Sequence, residues 1–302
     1  MNPGFRAIVL ECRHSKPTEV PFCSPLLHAV QLRSELTAVS DDGVMDLAIA
    51  AQSFLVSGGS SGIGLATARL LLAEGAVVTI CARDLDRLKG AARSLGSDRL
   101  CVAVADVTSA RDCERAVSAA IEHGGRLDGI AAVGGRGRHG SLLDLQPQDV
   151  VDELAAKIAG LLNLLRPAHA SLEETGGRVV ALTAPTAFEP EPAMGAVSAA
   201  RAALDNVVRS LAFDLAPRGI RINAVGVGLI DTPRQQDRFA TAAGNGGDYQ
   251  EWLAREAEGR GLLLARAGTP DEVAAAIVFL LSPLTGFTTG GVLDVAGGQR
   301  SR

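Results

Sequence analysis

The chain has 302 residues, with 29 lysines and arginines against 34 aspartates and glutamates, for a formal net charge of −5. Apolar types make up 47% and charged types 21%, a balance that suits a water-soluble domain with a large core and leaves no basic surplus for nucleic acid to grip. The strongest apolar runs, "AAAIVFLL" from Ala274 and "AGLLNLL" from Ala159, are far shorter than the roughly 20 residues of a bilayer crossing, so no membrane partner is expected.

Residues 1 to 50 carry scattered prolines, mixed charge and no sustained helical or strand period, and are read as an N-terminal extension ahead of a domain over 51–302. Met45 opens "MDLAIAAQSFLVSGG", a natural domain start, so the first 44 residues are a mobile tail, an interface arm or the product of a misassigned start codon. The early run "AIVL" is broken by Glu11, Arg13 and Lys16, too soon for a secretory signal, and a cytoplasmic location is expected. Cys12, Cys23, Cys81, Cys101 and Cys113 are odd in number and lack the spacing of a disulfide framework, which fits a reducing compartment. Cys12, His14, Cys23 and His28 do not match a zinc knuckle, and no metal is expected.

From Ser53 strand-like and helical stretches alternate: "SFLVS", "LATARLLLAEG", "AVVTICA", "RLKGAARSL", "LCVAVAD", "CERAVSAAIEHG" and "LDGIAAVGG". This is the pattern of βαβ units and a parallel sheet. Val150, Val151, Leu154, Ile158, Leu161, Leu162 and Leu165 then recur at helical spacing, as do Leu204, Val207, Val208, Leu211 and Leu215, so two long helices each present an apolar stripe. "GRVVALTA" and "IRINAVGVG" supply strands between and after them, "TPDEVAAAIVFLLS" is a helix with Thr269 as N-cap and Pro270 in its first turn, and "GVLDVAGG" is the last strand. The expected fold is α/β, a doubly wound parallel seven-stranded sheet of Rossmann type.

"SGGSSGIG", Ser57 to Gly64, lies between a strand and an alanine-rich helix. Gly58 permits a tight turn, Gly62 lets backbone amides approach a pyrophosphate, and Gly64 allows close helix packing. In that context the glycine pattern resembles the short-chain dehydrogenase/reductase family, whose TGxxxGxG it matches with serine for the first threonine. Further matches follow in order: "ADVT" with Asp106, "LDGIAAVGG", "LAPRGIRINAVGVGLIDT" and "GGVLDVAGG". The resemblance implies a cofactor site at Ser57, Gly58, Ser60, Ser61, Gly62, Ile63, Gly64, Asp106, Val107, Gly134 and Thr232, with Asp106 at the adenine and Thr232 at the nicotinamide amide. The family's acidic residue for the adenosine ribose falls at Ala82, followed by Arg83. A guanidinium in place of a carboxylate favours a 2′-phosphate, hence NADP(H) over NAD(H).

The same resemblance implies hydride transfer assisted by an asparagine, a serine, a tyrosine and a lysine. Here those places hold Lys157, Ala184, Val197 and Arg201. Valine has no proton to give, so acid catalysis at that position, commonly worth about 10²- to 10⁴-fold, is absent. The substitutes to weigh are Lys157, whose ammonium beside another cation has a depressed pKa; Thr183, a hydroxyl next to Ala184; Arg201, which still reaches ribose hydroxyls but stays charged; and Tyr249, the chain's one tyrosine, set in a lid over residues 229–262 and expected to pack with Trp252 over the cleft. His139 is expected to be a solvated loop residue.

Three readings remain open: a catalytically silent subunit that binds NADP(H) and pairs with an active family member; an NADPH-dependent carbonyl reductase or alcohol dehydrogenase with rearranged acid groups at Lys157 or Tyr249; and a non-redox cyclase or dehydratase reusing the cleft. The first is favoured, because all four positions are changed. The two striped helices are expected to mediate homo- or hetero-oligomerisation. The identity of any small-molecule substrate is not encoded in the lid's composition.

Overall fold

The strands are short runs of valine, isoleucine, leucine and alanine, apolar on both faces, as a sheet covered on both sides requires. The computed structural model describes residues 46–299 apart from 136, 244 and 245; the candidate ligands Cys12, His14, Cys23 and His28 lie outside the described residues. Strand β1 (Ser53–Ser57), helix α1 (Gly62–Ala73), β2 (Val77–Ala82), α2 (Leu85–Leu95), β3 (Leu100–Val104), α3 (Ala110–Gly124) and β4 (Gly129–Ala132) form the first half. Helices α4 (Pro147–Leu154) and α5 (Gly160–Thr175), joined by a π-helical turn at Ala155–Ala159, lead to β5 (Arg178–Thr183), a 3₁₀ turn at Pro185–Ala187, α6 (Gly195–Leu215) and β6 (Arg221–Val227). The lid helices α7 (Pro233–Ala243) and α8 (Tyr249–Gly259), then α9 (Pro270–Leu281) and β7 (Val292–Val295), complete the order.

All seven strands are parallel, in the order β3-β2-β1-β4-β5-β6-β7. The direction of winding reverses between β1 and β4. Loops leaving the carboxyl ends of those two strands therefore diverge and open a crevice there. One core layer packs Leu71 of α1, Leu88 of α2 and Ile277 of α9 on the sheet; the other packs Val117 of α3, Leu161 and Leu165 of α5, and Leu204 and Val208 of α6. This is the doubly wound seven-stranded sheet that the alternation predicts.

Two expectations shift. Ile49 is fully buried and Leu47 packs against the same core, while the Leu47 carbonyl accepts a hydrogen bond from Ser282 Oγ at 2.7 Å. The domain thus begins at or before Leu47, ahead of the boundary at 51. Along α4, the predicted apolar stripe is only partly covered: Val151 is exposed, whereas Glu153 and Lys157 are buried. Val151 and Glu153 lie in α4, while Lys157 lies in the π-helical turn, where one extra residue shifts the side chains out of a continuous α-helical register.

Candidate active site

At the crevice, the backbone of the β1–α1 loop forms a cradle. Gly58 has φ +73°, and a Cβ there would lie 2.8 Å from Gly134 Cα, so only glycine lets the two loops touch. A Cβ on Gly64 would collide with the Gly58 carbonyl. Ser61, the N-cap of α1, is extended and makes no side-chain cap bond, so the first amides of that helix are left to meet an anion. The cradle forms one end of a cleft of about 1090 Å³, which also takes in Ser60, Ile63, Arg83, Asp106, Val107 and Thr232. Arg83 Nη1 stands 3.9 Å from Asp106 Oδ2 at the edge of the cleft, and both side chains are partly in solvent.

The inner end is built from α4, its π-helical turn, the 3₁₀ turn and α6. Lys157 is buried and donates from Nζ to the Gly134 carbonyl at 3.2 Å. Its pKa lies well below the ordinary lysine value, chiefly because burial penalises the charge and then because Arg201 repels it. Arg201, also buried, donates to the Leu182 carbonyl and has no hydrogen-bond partner at Nε among the described residues; burial brings its pKa down to about 10, which leaves it a cation. Ala184 and Val197 line the same end and offer it only carbon.

Other candidates fall elsewhere. Thr183 is wholly buried in β5, its hydroxyl without a partner among the described residues, and does not line the cleft, because successive side chains of a strand point to opposite faces. Ser57, named for the cofactor, lies behind the cradle: its Oγ accepts the Gly134 N–H at 3.2 Å, supporting the loop from inside. Tyr249 donates to Asp231 Oδ1 at 2.5 Å, and desolvation first, then this bond, raise its pKa. It stacks with Trp252, centroids 6.1 Å apart, and meets Phe239 edge-on inside the lid. Neither Tyr249 nor Trp252 lines the cleft, so the expected aromatic cover is absent from it. His139 does line it, with Nε2 3.1 Å from Arg234 Nη2. Burial first, then Arg234, lowers its pKa to about 4, so it is neutral at pH 7.

A family profile described as enoyl-(acyl carrier protein) reductase matches residues 58–300. An uncharacterized oxidoreductase of Mycobacterium bovis is 32% identical over 251 residues, 82% of this chain and 97% of that protein. The chain belongs to the short-chain dehydrogenase/reductase family. Among solved structures, a short-chain oxidoreductase from Pseudomonas aeruginosa PAO1, described as containing an atypical catalytic center, superposes with TM-score 0.80 at 36% identity, covering 84% of this chain and 99% of that one. Its NADPH-bound form gives TM-score 0.78. An NADPH complex of L-sorbose reductase from Gluconobacter frateurii gives TM-score 0.80 at 27% identity, covering 84% of this chain and 98% of that one.

As a short-chain dehydrogenase/reductase, the chain is suited to a nicotinamide dinucleotide: the two glycines without room for a Cβ and the uncapped α1 amides fit a pyrophosphate. Four inner-cleft residues escaped the sequence reading. Glu153, one turn before Lys157, is buried; one oxygen accepts the Arg138 N–H at 2.5 Å and the other has no partner among the described residues. Its i, i+4 spacing to Lys157 was the available signal. Thr186, in the 3₁₀ turn that begins at Pro185, brings to the cleft a buried hydroxyl that has no partner among the described residues. Gln299 donates to Glu191 Oε1 while its own Oε1 has no partner among the described residues. Arg234, two residues beyond Thr232, donates to the Gly137 carbonyl at 2.8 Å. Neither Thr186 nor Gln299 carries a local sequence signal.

Proposed function

We propose that this protein is an NADP(H)-dependent oxidoreductase acting on a carbonyl or the corresponding alcohol, with Lys157 as its proton donor and acceptor. The single observation that carries this reading is the Lys157 ammonium, buried at the inner end of the cleft and flanked by Arg201 and Glu153. A side chain meant only to fill space would not need a charge there. Support also comes from the NADPH-bound Pseudomonas relative, whose catalytic centre is likewise described as atypical.

The glycine cradle and α1 amides would hold the pyrophosphate, Arg83 the 2′-phosphate, and Arg201 the ribose at the other end. When bound, the nicotinamide would supply or accept the hydride. Lys157 has the properties of the proton partner: it carries a proton on Nζ, and desolvation together with a neighbouring cation makes that proton easier to release than in water. Gly134 fixes the direction of Nζ through its carbonyl. Ala184 and Val197 add no competing side-chain donor beside it.

The test is NADPH oxidation, followed by absorbance, over a panel of carbonyl compounds. Lys157→Ala should cut kcat/KM by about a hundredfold or more, whereas Tyr249→Phe should leave it unchanged. Since reduction requires the protonated amine, its rate should fall as pH rises through the lowered Lys157 pKa, while alcohol oxidation should rise. Full activity in Lys157→Ala would sink the assignment. A second reading, the silent subunit of a hetero-oligomer, draws on the all-carbon lining at Ala184 and Val197; it predicts no turnover by the isolated chain and recovery with an active family member. Substrate conversion without any absorbance change would instead indicate non-redox chemistry.

A further inference from the structure

We propose that the cleft takes a ketone bearing two or more hydroxyl groups, selected by the Gln299 side-chain carbonyl and the Thr186 hydroxyl; this deepens the oxidoreductase reading, on which it rests for the fate of the carbonyl. Three polar side chains that line the cleft are almost closed to solvent: Glu153, Thr186 and Gln299 are 6%, 3% and 7% exposed. Glu153 Oε2, Thr186 Oγ1 and Gln299 Oε1 have no hydrogen-bond partner among the described residues. A polar atom buried in this way is costly until something bonds to it. Water can meet that need, and a ligand that displaces the water must then bring matching groups of its own.

The sheet brings Thr186 and Gln299 together. Strands β5, β6 and β7 are neighbours; the 3₁₀ turn that holds Thr186 follows the carboxyl end of β5, and Gln299 follows that of β7. Between them, just past β6, a Cβ on Gly228 would lie 3.0 Å from Gln299 Oε1 and 2.9 Å from Ala296 Cα. The segment that leaves the 3₁₀ turn also carries Glu191, whose Oε1 accepts from Gln299 Nε2. Glu191 is itself held by Arg260, just beyond α8, at 3.0 Å. A carboxylate only accepts, so the amide nitrogen must face Glu191 and the carbonyl oxygen is the atom left for a ligand.

Donor and acceptor types then select the ligand. Gln299 Oε1 and the Glu153 carboxylate oxygen only accept, whereas the Thr186 hydroxyl does either. A plain ketone has no donor for the first two, and a carboxylate or phosphate would set oxygen against oxygen. A substrate ammonium would donate, but Lys157 and Arg201 line the same cleft and repel it. A hydroxyl both donates to an acceptor and accepts from Thr186, which an amide N–H cannot do. One hydroxyl for each acceptor makes two. A site built to bond a substrate hydroxyl discriminates strongly against the analogue that lacks it, because its own buried groups are then left unmet.

The experiment is calorimetric titration of the protein loaded with tetrahydro-NADP, a reduced analogue that transfers no hydride, so binding is read without turnover. The probes are erythrulose and xylulose, and butanone and 2-pentanone as the ketones of equal chain length without hydroxyls. At least one ketose should bind about tenfold or more tightly than its plain ketone. Gln299→Met, which keeps the side-chain length and removes the carbonyl, and Thr186→Val should each cut that preference about fivefold or more. Erythritol should compete with the ketose in the wild-type protein, an arm that needs no variant to fold. The proposal is overturned if neither ketose outbinds its plain ketone, if 2-oxobutanoate outbinds both ketoses, if erythritol does not compete, or if the preference survives in either variant. An equal loss of affinity for tetrahydro-NADP in Gln299→Met would also overturn it, by placing the carbonyl on the cofactor. Binding as expected with no turnover of either ketose by the NADPH form would overturn the oxidoreductase reading alone.

Discussion

Arg83 is the side chain at which the proposed cofactor preference can be tested. It follows the last residue of β2 at the cleft edge, where Ala82 leaves no carboxylate to meet a ribose diol. A 2′-phosphate would gain a charge-assisted hydrogen bond there that NADH cannot make. Arg83→Ala should therefore raise the Kd for NADPH about tenfold or more and leave that for NADH nearly unchanged, read by quenching of protein fluorescence. Equal losses for both would show that Arg83 only shapes the loop. At Lys157 the same scale works in reverse. The residue type was plain in the sequence, but its burial and its contact with the Gly134 carbonyl depend on a helical turn of the wrong period.

Among the elements, α9 was the most legible. Thr269 Oγ1 accepts the Glu272 N–H at 3.3 Å and Glu272 accepts the Thr269 N–H at 2.7 Å, with Pro270 in the first turn. These contacts lie within four residues, so sequence alone specifies them. Thr269→Ala should cost about 1 kcal/mol and lower the thermal midpoint by about 2–4 °C. The Arg266 fork, assisted by the Thr269 amide, holds the Glu272 carboxyl at about 2 against an ordinary 4.5. A depressed carboxyl stabilises the folded state fully above its ordinary value, and that contribution is lost as pH falls from there towards 2. Glu272→Gln should therefore narrow the stability gap between pH 6 and pH 3 relative to wild type, by a small amount because the pair is exposed. The α4–α5 pair was less legible. Its spacing predicted one apolar face, but Glu153 of α4 and Lys157 of the π-helical turn are buried.

Across the whole molecule, the cleft is shared by segments from residue 58 to residue 299, so a dinucleotide lying along it ties the two halves of the sheet together. Ligand that binds only the folded state stabilises it, by about 2.7 kcal/mol at a hundred times its Kd. NADP⁺ should consequently raise the thermal midpoint, and by more than NAD⁺ at equal concentration; the reverse order in a melting scan would count against the Arg83 assignment. No described helix is long and apolar enough to cross a membrane. The sequence by itself determined the strand order's ingredients, the glycine cradle and the α9 cap, because each is encoded by periodicity or by neighbours a few residues apart. Only the tertiary structure decided that Thr183 turns from the cleft while Thr186 enters it, that Tyr249 is held by Asp231, and that Arg234 joins Lys157 and Arg201. Those outcomes depend on which strand face is inward and on contacts between residues tens of positions apart, which no local pattern records.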